Sequence, residues 1–348
     1  MAQPVLRRVV VALGGNALIR RGERGDFELQ RQNVDAAART IVSLAEVVPE
    51  IVLTHGNGPQ VGFLALQAAA AEPDVPLPPL DVLGAESQGQ IGYLLSQALR
   101  NAFGDRDSAR EIAVVLTQMV VDPHDPGFQH PTKPVGPVYT EAEAHALAED
   151  RGWSIAPDNR HWRRVVASPA PQRIVEAAVI RRLVQAGVLV IASGGGGIPV
   201  AESNGKLRGL EAVIDKDLAA VVLAANVRAE ALLLLTDVDG VYRDWGTPGA
   251  QRLEQITVTE AQQLLDSGLF PAGSMAPKVR ACVEFVQRGG KIAAIGALEQ
   301  APDVLSGRSG TRITSPMHPP RYVSDGYREE TKQPGALVDS HTVTSARA

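Results

Sequence analysis

Three lysines are the residues of this chain whose type and surroundings most clearly indicate chemistry. The sequence contains 28 arginines but only 6 lysines, so arginine serves wherever an ordinary surface cation is enough. Lys133 lies between prolines in PTKPVG, Lys216 lies between aspartates in IDKD, and Lys278 follows a proline in GSMAPK. Stiff neighbours hold a charge in place, and the compact ammonium group of lysine suits a phosphoryl group in transfer. We interpret the three lysines as one phosphate-binding set.

The residues next to two of these lysines support this interpretation. Asp215 and Asp217 flank Lys216, and their carboxylates could orient its ammonium group. Lys278 lies at an expected helix start, where proline is favoured in the first turn and the free amide groups attract an anion. The other lysines lack such surroundings and are interpreted as surface charges: Lys206, Lys291 and Lys332.

Three glycine-rich turns form a second group of candidates, since each follows an apolar run. Glycine lets the backbone approach a phosphate closely, so that its N–H groups can point at the oxygens. A plain tight turn, or a flexible linker in the case of the four glycines after Ser193, is the competing interpretation. His55 is interpreted as a hydrogen-bonded turn residue rather than a general base. The candidate phosphate-binding residues are Gly14, Gly15, Asn16, Gly56, Asn57, Gly58, Ser193, Gly194 and Gly195.

The motifs of several other reaction classes are missing from the sequence. It has no Gly-x-Ser-x-Gly elbow, no His-Glu-x-x-His pair and no paired cysteines, and its 7 histidines do not have metal-ligand spacing. The first turn is neither a Walker loop nor Gly-x-Gly-x-x-Gly, which argues against an NAD-dependent oxidoreductase. Phosphoryl transfer depends on in-line positioning and neutralised charge more than on a covalent nucleophile, so it fits the lysines and the glycine-rich turns.

Short apolar runs, rich in β-branched residues, must position these turns. Continuous runs of this kind are typical of strands buried on both faces of a parallel sheet. The alternation of such runs with helical patterns indicates an α/β fold with a mostly parallel sheet, whose ligands gather at the carboxyl ends of the strands. We predict strands at 9–13, 51–53, 112–117, 188–192, 232–235 and 292–295. We predict helices at 32–48, 86–103, 172–185, 215–226, 259–267 and 276–288.

Two segments depart from this alternation. Residues 122–164 are rich in proline and aromatic residues, which indicates a lid subdomain inserted into the main fold. Residues 316–348 are polar, contain four prolines and show no periodicity. We expect this tail to be disordered.

Composition limits the class of partner. The chain has 348 residues, 45% of them apolar, and a net charge of −5, so a nucleic-acid-binding surface is not expected. Its single cysteine, Cys282, excludes a disulfide within the chain and fits a reducing compartment. The first apolar run is too short for a signal peptide, and no run approaches the length of a membrane span. We therefore expect a cytoplasmic protein whose partners are small molecules or other protein chains, with no membrane association.

Eight short motifs occur in one order along residues 5–315. They are ALGGNA (12–17), THGNGPQVG (54–62), SQGQIGY (87–93), PTKPVG (131–136), RRVVASP (163–169), SGGGGIPV (193–200), AVIDKD (212–217) and GSMAPK (273–278). Each motif alone is a weak signal, but eight of them in this order are a specific match. Through these motifs the chain resembles the carbamate kinase family, within the broader amino-acid-kinase fold.

The resemblance implies a three-layer α/β/α sandwich with a mostly parallel central sheet and an inserted lid, assembled as a homodimer. It implies an N-terminal lobe over 1–210 that holds carbamate or carbamoyl phosphate, and a C-terminal lobe over 211–315 that holds the nucleotide. ATP or ADP would be the co-substrate. Mg²⁺ would be bound through the nucleotide phosphates, with no metal site formed by the protein alone.

The resemblance also implies roles for single residues. The lid would carry Lys133 to the substrate, and Lys216 and Lys278 would contact the transferring phosphates. Asp217 would orient the lysines. The glycine-rich turns would surround carbamate and the phosphoryl group. The residues that border the nucleotide would be Asp237, Tyr242, Met275, Ala276 and Lys278.

The implied activity is reversible phosphoryl transfer between ATP/ADP and carbamate/carbamoyl phosphate, which makes ATP in the catabolism of arginine or other nitrogen compounds. Two alternatives stay open on the sequence alone. An enzyme of the same fold could phosphorylate another small carboxylate, of the acylglutamate or aspartate type, although the proline-framed Lys133 favours a small substrate. A non-catalytic nucleotide-binding regulator is the other alternative, and the presence of all three lysines argues against it.

Overall fold

A computed structural model describes residues 6–15, 26–71, 76–106, 109–158, 160–271 and 274–315. The candidate residue Asn16 and the tail 316–348, which we expect to be disordered, lie outside these described residues. The helices are α1 (Phe27–Ala45), α2 (Gly58–Ala70), α3 (Leu80–Gly104), α4 (Glu141–Arg151), α5 (Ala177–Gln185), α6 (Lys216–Val227), α7 (Val258–Asp266), α8 (Met275–Gln287) and α9 (Ala301–Ser306). The strands are β1 (Arg8–Leu13), β2 (Glu50–His55), β3 (Ile112–Val114), β4 (Gln118–Val121), β5 (Lys133–Tyr139), β6 (Ser154–Asp158), β7 (His161–Val166), β8 (Pro171–Ile174), β9 (Leu189–Ile191), β10 (Ile198–Ser203), β11 (Lys206–Gly209), β12 (Ala231–Thr236), β13 (Val241–Arg243), β14 (Gln251–Leu253), β15 (Gln255–Thr257), β16 (Ile292–Ala297) and β17 (Thr311–Thr314).

A sheet of eight strands forms the centre of the described part of the molecule. Its strand order is β15-β17-β16-β12-β1-β2-β9-β3, and neighbouring strands run parallel except for the antiparallel pair β16 and β17. Strand β1 pairs with β12 on one side and with β2 on the other. Because these strands are parallel, the turns after β1, β2, β9 and β12 meet at one edge of the sheet.

Side chains of β1 alternate between two hydrophobic cores, one on each face of the sheet. Val9, Val11 and Leu13 pack with helices α1, α3 and α9. Val10 and Ala12 pack on the opposite face with helices α5, α6 and α8. All of these side chains are fully buried, as a continuous apolar run predicts for a strand covered on both faces. The predicted three-layer α/β/α sandwich with a mostly parallel sheet is confirmed.

The predicted strands and helices occur near their expected positions, with two corrections. The helix predicted at 172–185 is wrong at its start, since Pro171–Ile174 forms strand β8 and the helix begins at Ala177. Antiparallel pairing of β8 with β4 outweighs the local helical pattern there. The strand predicted at 112–117 ends at Val114, and the chain then enters β4, which belongs to a second sheet.

The inserted segment forms a lid subdomain with a sheet of its own. Strands β5, β7 and β6 pair antiparallel in that order, and helix α4 packs on them. The Arg164 guanidinium lies 4.8 Å from the centre of the Trp153 ring, so that it stacks on an aromatic face within the lid. The lid meets the body at helix α2, where Gly62 approaches the backbone of Gly136 in β5.

The proposed lobes over 1–210 and 211–315 share the central sheet, because β1 of one pairs with β12 of the other. The boundary falls between β11 and α6. The assignment of one ligand to each lobe stays a prediction. Within the described ranges, no helix combines the length and the apolar character needed to cross a bilayer.

Replacing Gly62 with alanine is expected to destabilise the protein, because helix α2 and strand β5 leave no room for a side chain between them. A Cβ on Gly62 would lie 1.9 Å from Gly136 Cα, so one of the two backbones must move. We expect Gly62→Ala to lower the free energy of unfolding by about 1–3 kcal/mol. Urea denaturation measures this change.

Gly89→Ala is the matched control for this variant. Gly89 is exposed within α3, and a Cβ there would meet no atom within 4 Å. Alanine favours a helix over glycine by up to about 1 kcal/mol, so the control should be at least as stable as the parent chain. Equal stability of the Gly62→Ala variant and the parent would contradict the tight contact between lid and body.

Candidate active site

A cavity of about 380 Å³ lies at the edge of the sheet where the strand-end turns meet. Its wall combines the turns after β1 and β12, the first turns of helices α6 and α8, and a residue of the lid. The three lysines singled out in the sequence all reach this cavity. The lining residues include Gly14, Gly15, Lys133, Asp215, Lys216, Asp217, Asp237, Tyr242, Met275 and Lys278.

Two carboxylates bind the three ammonium groups. The Lys216 ammonium donates to Asp217 Oδ1 at 2.5 Å, and the Lys278 ammonium donates to Asp217 Oδ2 at 2.9 Å. The Lys133 ammonium donates to Asp215 Oδ2 at 2.5 Å. Asp217 thus bridges two lysines from the starts of α6 and α8, while Asp215 binds the lysine of the lid.

The start of helix α6 explains how both carboxylates are held. Asp215 is the N-cap residue, and its Oδ1 accepts the backbone N–H groups of Asp217 and Leu218 at 2.8 and 3.3 Å. Aspartate is among the preferred N-cap residues, because its side chain satisfies amide groups that a helix leaves free. Asp217 lies in the first turn, where the helix dipole favours a negative charge.

Burial and the ion pairs together set the charges of these groups. Burial alone would raise the pKa of the Asp217 carboxyl, but the ammonium groups of Lys216 and Lys278 hold that pKa far below its usual range. Burial lowers the pKa of Lys216, and contact with Asp217 acts in the opposite direction. For Lys278, contact with Asp217 outweighs burial, so the pKa is raised. Asp217 therefore stays ionised at neutral pH between the two lysines.

The first two glycine-rich turns pack against each other at the cavity. The Gly14 N–H donates to Leu235 O of β12 at 2.8 Å, which ties the first turn to the sheet. A Cβ on Gly56 would lie 2.8 Å from the Gly15 nitrogen and 3.3 Å from Lys216 Cδ. Glycine at position 56 therefore lets the turn after β2 reach both the first turn and the lysine stem.

The third glycine-rich turn lies behind the second. A Cβ on Gly194 would lie 2.4 Å from His55 Nε2, and one on Gly195 would lie 2.1 Å from Asn57 Nδ2. Ser193 is fully buried and has a φ of 53°, in the left-handed region that few non-glycine residues adopt. This turn therefore supports the side chains of the second turn by close backbone contact.

The cavity wall includes part of the predicted phosphate-binding set. Gly14 and Gly15 line the cavity, while Asn16 lies outside the described residues. The remaining members lie beside or behind these turns and outside the wall: Gly56, Asn57, Gly58, Ser193, Gly194 and Gly195. Their contact with carbamate or the phosphoryl group stays a prediction.

Most of the predicted nucleotide-binding residues line the same cavity. Asp237 follows β12, Tyr242 lies in β13, and Met275 begins helix α8 next to Lys278. Ala276 instead packs against the hydrophobic core. Its role at the nucleotide stays a prediction.

The structure adds cavity residues that sequence reasoning missed. Trp245 and Phe270 contribute an aromatic wall, and the Trp245 ring meets the Tyr242 ring edge to face with centroids 4.9 Å apart. Trp245 is 62% exposed, which is unusual for so large an apolar ring. Tryptophan occurs only three times in the chain, and that rarity was the available signal. The pairing of Asp215 with Lys133 spans 82 residues and had no local signal.

The charged side chains of this site are suited to an anion. No group of three or more histidine, cysteine, aspartate or glutamate side chains placed to hold a metal ion occurs among the described residues. Asp215 and Asp217 are already bound to lysines. The helix starts of α6 and α8 add partial positive charge at the same wall. This arrangement is suited to a phosphoryl group passing between two oxyanions.

Comparison with known proteins agrees with this geometry. Residues 7–296 match the family model described as the amino acid kinase family. A carbamate kinase from Pyrococcus horikoshii is 49% identical over 310 residues, which cover 88% of this chain and 99% of the relative.

Solved structures lead to the same family. The carbamate kinase of Giardia lamblia bound to citric acid is similar with a TM-score of 0.85 at 45% identity, over 90% of this chain and 100% of that chain. The same enzyme bound to AMP-PNP is similar with a TM-score of 0.82, at the same identity and coverage. The resemblance indicated by the eight sequence motifs is confirmed. The chain therefore belongs to the amino acid kinase family and, within it, to the carbamate kinases.

Proposed function

We propose that this chain catalyses reversible phosphoryl transfer between ATP or ADP and carbamate or carbamoyl phosphate. The observation that carries the proposal is the convergence of Lys133, Lys216 and Lys278 on one cavity. Relatives that share about half of its residues over almost their whole length are carbamate kinases, which supports it. In the ATP-forming direction, which we propose for the cell, breakdown of arginine or other nitrogen compounds would supply the carbamoyl phosphate.

The main obstacle to this reaction is repulsion between two anions, the nucleotide phosphate and the carbamate. Like charges about 4 Å apart cost roughly 4 kcal/mol at an effective dielectric constant near 20. Lys216 and Lys278 both lie within hydrogen-bond distance of one carboxylate, so their positive charges are concentrated at one place. Lys133 adds a third ammonium group from the lid. Together these groups would offset the repulsion while the phosphoryl group moves in line.

The reaction needs no general base, because carbamate already carries a negative charge. His55 is fully buried, and burial lowers its pKa to about 4, with the Gly56 carbonyl acting against the shift and Lys216 acting with it. Its imidazole is therefore neutral at pH 7, and His55 Nδ1 lies 3.1 Å from Gly56 O. We assign His55 to the support of the second turn and not to proton transfer.

We propose that Mg²⁺ enters the site with the nucleotide. Because Asp215 and Asp217 are bound to lysines, the carboxylates next to the transferring group are not open for a metal ion. The oxygen ligands would come from the phosphates and water, which suits the preference of Mg²⁺ for octahedral oxygen coordination. Bound in this way, the ion would neutralise phosphate charge.

We place the nucleotide against the apolar part of the cavity wall. Trp245, Phe270 and Met275 lie there, and aromatic and thioether side chains suit the face of a purine ring. The N-terminus of α8, which carries Lys278, would face the phosphates. Asp237, on the same wall, would lie at the border of the nucleotide.

A kinase for another small carboxylate, of the acylglutamate or aspartate type, is the alternative within the same fold. Such acceptors need room for a side chain beyond the carboxylate. The carbamate kinase relatives favour the smaller acceptor. Phosphate transfer from ATP to a panel of carboxylates would distinguish them, since activity on an acylglutamate but not on carbamate would contradict our choice.

We propose that the enzyme is a cytoplasmic homodimer. Strand β3 is an edge of the central sheet, and beside it Val114, Leu116 and Tyr93 are 38%, 51% and 54% exposed. Apolar side chains at an open sheet edge are suited to cover by a second copy, and light scattering that gave a monomeric mass would contradict this. Cys282 is free and buried, which fits a reducing compartment.

Replacing Lys133 or Lys216 with alanine should lower kcat for ATP formation from ADP and carbamoyl phosphate. Each change removes a charged donor aimed at the reacting anion, and such losses are typically about 10²–10³-fold. The rate of ATP formation, measured with and without Mg²⁺, tests this, and circular dichroism checks that each variant is folded. The parent chain should form ATP only when Mg²⁺ is present.

Lys206→Ala is the matched control, since Lys206 is exposed in β11 and lies outside the cavity wall. This variant should keep the activity of the parent chain. Near-normal activity of the Lys133 or Lys216 variant would remove that lysine from the mechanism. A folded parent chain that forms no ATP would contradict the proposed function itself.

The free energy of unfolding should fall in mild acid because of His55. Its pKa is about 4 in the folded protein against an ordinary value of 6.5, so between these values the unfolded chain binds a proton that the folded chain does not. The stability from neutral His55 is therefore present above pH 6.5 and is lost as the pH falls toward 4. Over this whole range, His55 should lower the free energy of unfolding by about 3 kcal/mol.

Urea denaturation of the parent and of a His55→Gln variant, at pH values from above 6.5 down to about 4, measures this effect. Glutamine does not titrate, so the variant should lose less stability than the parent over that range. Parallel pH profiles of the two proteins would show that His55 does not control the acid sensitivity.

A further inference from the structure

We propose that Asp215 is a positioning residue that holds the lid lysine, Lys133, in the phosphoryl-transfer site. The inference rests on the proposed function and deepens it. It assigns a specific partner to the charge that the lid brings to the substrate. Asp215 itself would not touch the reacting atoms and would act through Lys133.

The two oxygens of the Asp215 carboxylate have different partners. Oδ1 accepts the backbone N–H groups of Asp217 and Leu218 at 2.8 and 3.3 Å, and so caps helix α6. Oδ2 accepts the Lys133 ammonium at 2.5 Å. One side chain therefore joins the first turn of α6 to the first residue of the lid strand β5.

Helix capping alone does not account for an aspartate at this position. Serine and asparagine cap a helix about as well as aspartate, and neither brings a negative charge into the site. That charge is unfavourable on its own, because Asp215 is largely buried and Asp217 repels it. Lys133 nevertheless holds the pKa of the Asp215 carboxyl below its usual value. The charge is therefore explained by the lysine and not by the cap.

Lys133 needs a partner more than the other two lysines of the site do. Its side chain is 31% exposed, against 12% for Lys216 and 16% for Lys278. A long side chain with this much freedom loses conformational entropy when it is fixed at a substrate. Asp217 already binds Lys216 and Lys278 with its two oxygens. Contact with Asp215 fixes the Lys133 ammonium before the substrate arrives.

The lid backbone is fixed nearby, but that contact leaves the Lys133 side chain unconstrained. Gly136, three residues further along β5, meets Gly62 of helix α2. Arg163 Nη2 also donates to Gly136 O at 2.6 Å. These contacts place the strand, whereas Asp215 acts at the far end of the lysine side chain. Backbone and ammonium group are then both held.

The Lys133 ammonium can serve Asp215 and an anion at once, since it carries three N–H donors. One donor stays with Asp215, and the others can point at the oxygens of the phosphoryl group. Loss of the Asp215 charge should therefore impair use of carbamoyl phosphate, to which the lid lysine is assigned. Binding of ADP, which we place at the start of α8 and the aromatic wall, should be spared.

Asp215→Asn separates the two roles of this side chain. Asparagine retains an oxygen that caps α6 but lacks the charge that holds Lys133. We expect the Asp215→Asn variant to keep the melting temperature of the parent chain and its KM for ADP. Its kcat/KM for carbamoyl phosphate should fall by about 10- to 100-fold. Asp215→Ser, which also caps but is too short to reach the lysine, should show the same pattern.

A double variant tests whether Asp215 acts through Lys133. Asp215→Asn combined with Lys133→Ala should be no slower than Lys133→Ala alone, because an interaction already removed cannot be lost again. Parent-like activity of Asp215→Asn would overturn the proposal. The proposal would also be overturned if Asp215→Asn lowered the activity equally in the parent and in the Lys133→Ala variant. It would be overturned as well if the activity of Asp215→Asn and Asp215→Ser fell only in step with their unfolding. A parent chain that forms no ATP would overturn the proposed function as well as this inference. If the parent chain does form ATP, the outcomes above overturn only the role of Asp215.

Discussion

The site depends on one buried carboxylate that holds two like charges together. Asp217 binds Lys216 at 2.5 Å and Lys278 at 2.9 Å, and its side chain is only 5% exposed. Without it, the two ammonium groups would repel each other, and burial would favour loss of their charge. With it, the positive charge is in place before any anion arrives. Charge that is organised in advance costs no rearrangement during the reaction, which is how electrostatic catalysis works.

The parallel sheet is what allows such charges to meet. The carboxyl ends of β1 and β12 lie side by side, and helices α6 and α8 begin at the same edge. Each helix start adds partial positive charge to that of its lysine. Glycine at positions 14, 15 and 56 keeps the turns thin enough to pack against each other and against Lys216. A side chain at position 56 would push the first two turns apart, so glycine is needed there for packing.

The short segment Asp215-Lys216-Asp217 organises three elements that are distant in sequence. Asp217 reaches Lys278 of α8, 61 residues away, and Asp215 reaches Lys133 of the lid, 82 residues away. The start of helix α6 therefore contacts both the body and the lid. Asp217 holds the two more buried lysines of the body, and Asp215 holds the more exposed lysine of the lid. Each of the three ammonium groups is therefore held by a carboxylate before any anion arrives.

The sequence by itself determined the α/β class, six of the eight strands of the central sheet, the lysine set and the family. The signals for those features are local. They are continuous apolar runs, glycine-rich turns, and a few lysines in a chain rich in arginine. Only the tertiary structure decided that Asp215 binds Lys133, that Gly194 and Gly195 support the second turn, and that residues 171–174 form a strand rather than the start of a helix. Each of these is set by a partner far along the chain. Pairing of this kind has no periodic signal, because it depends on how the strands and helices pack, and packing is a property of the whole fold.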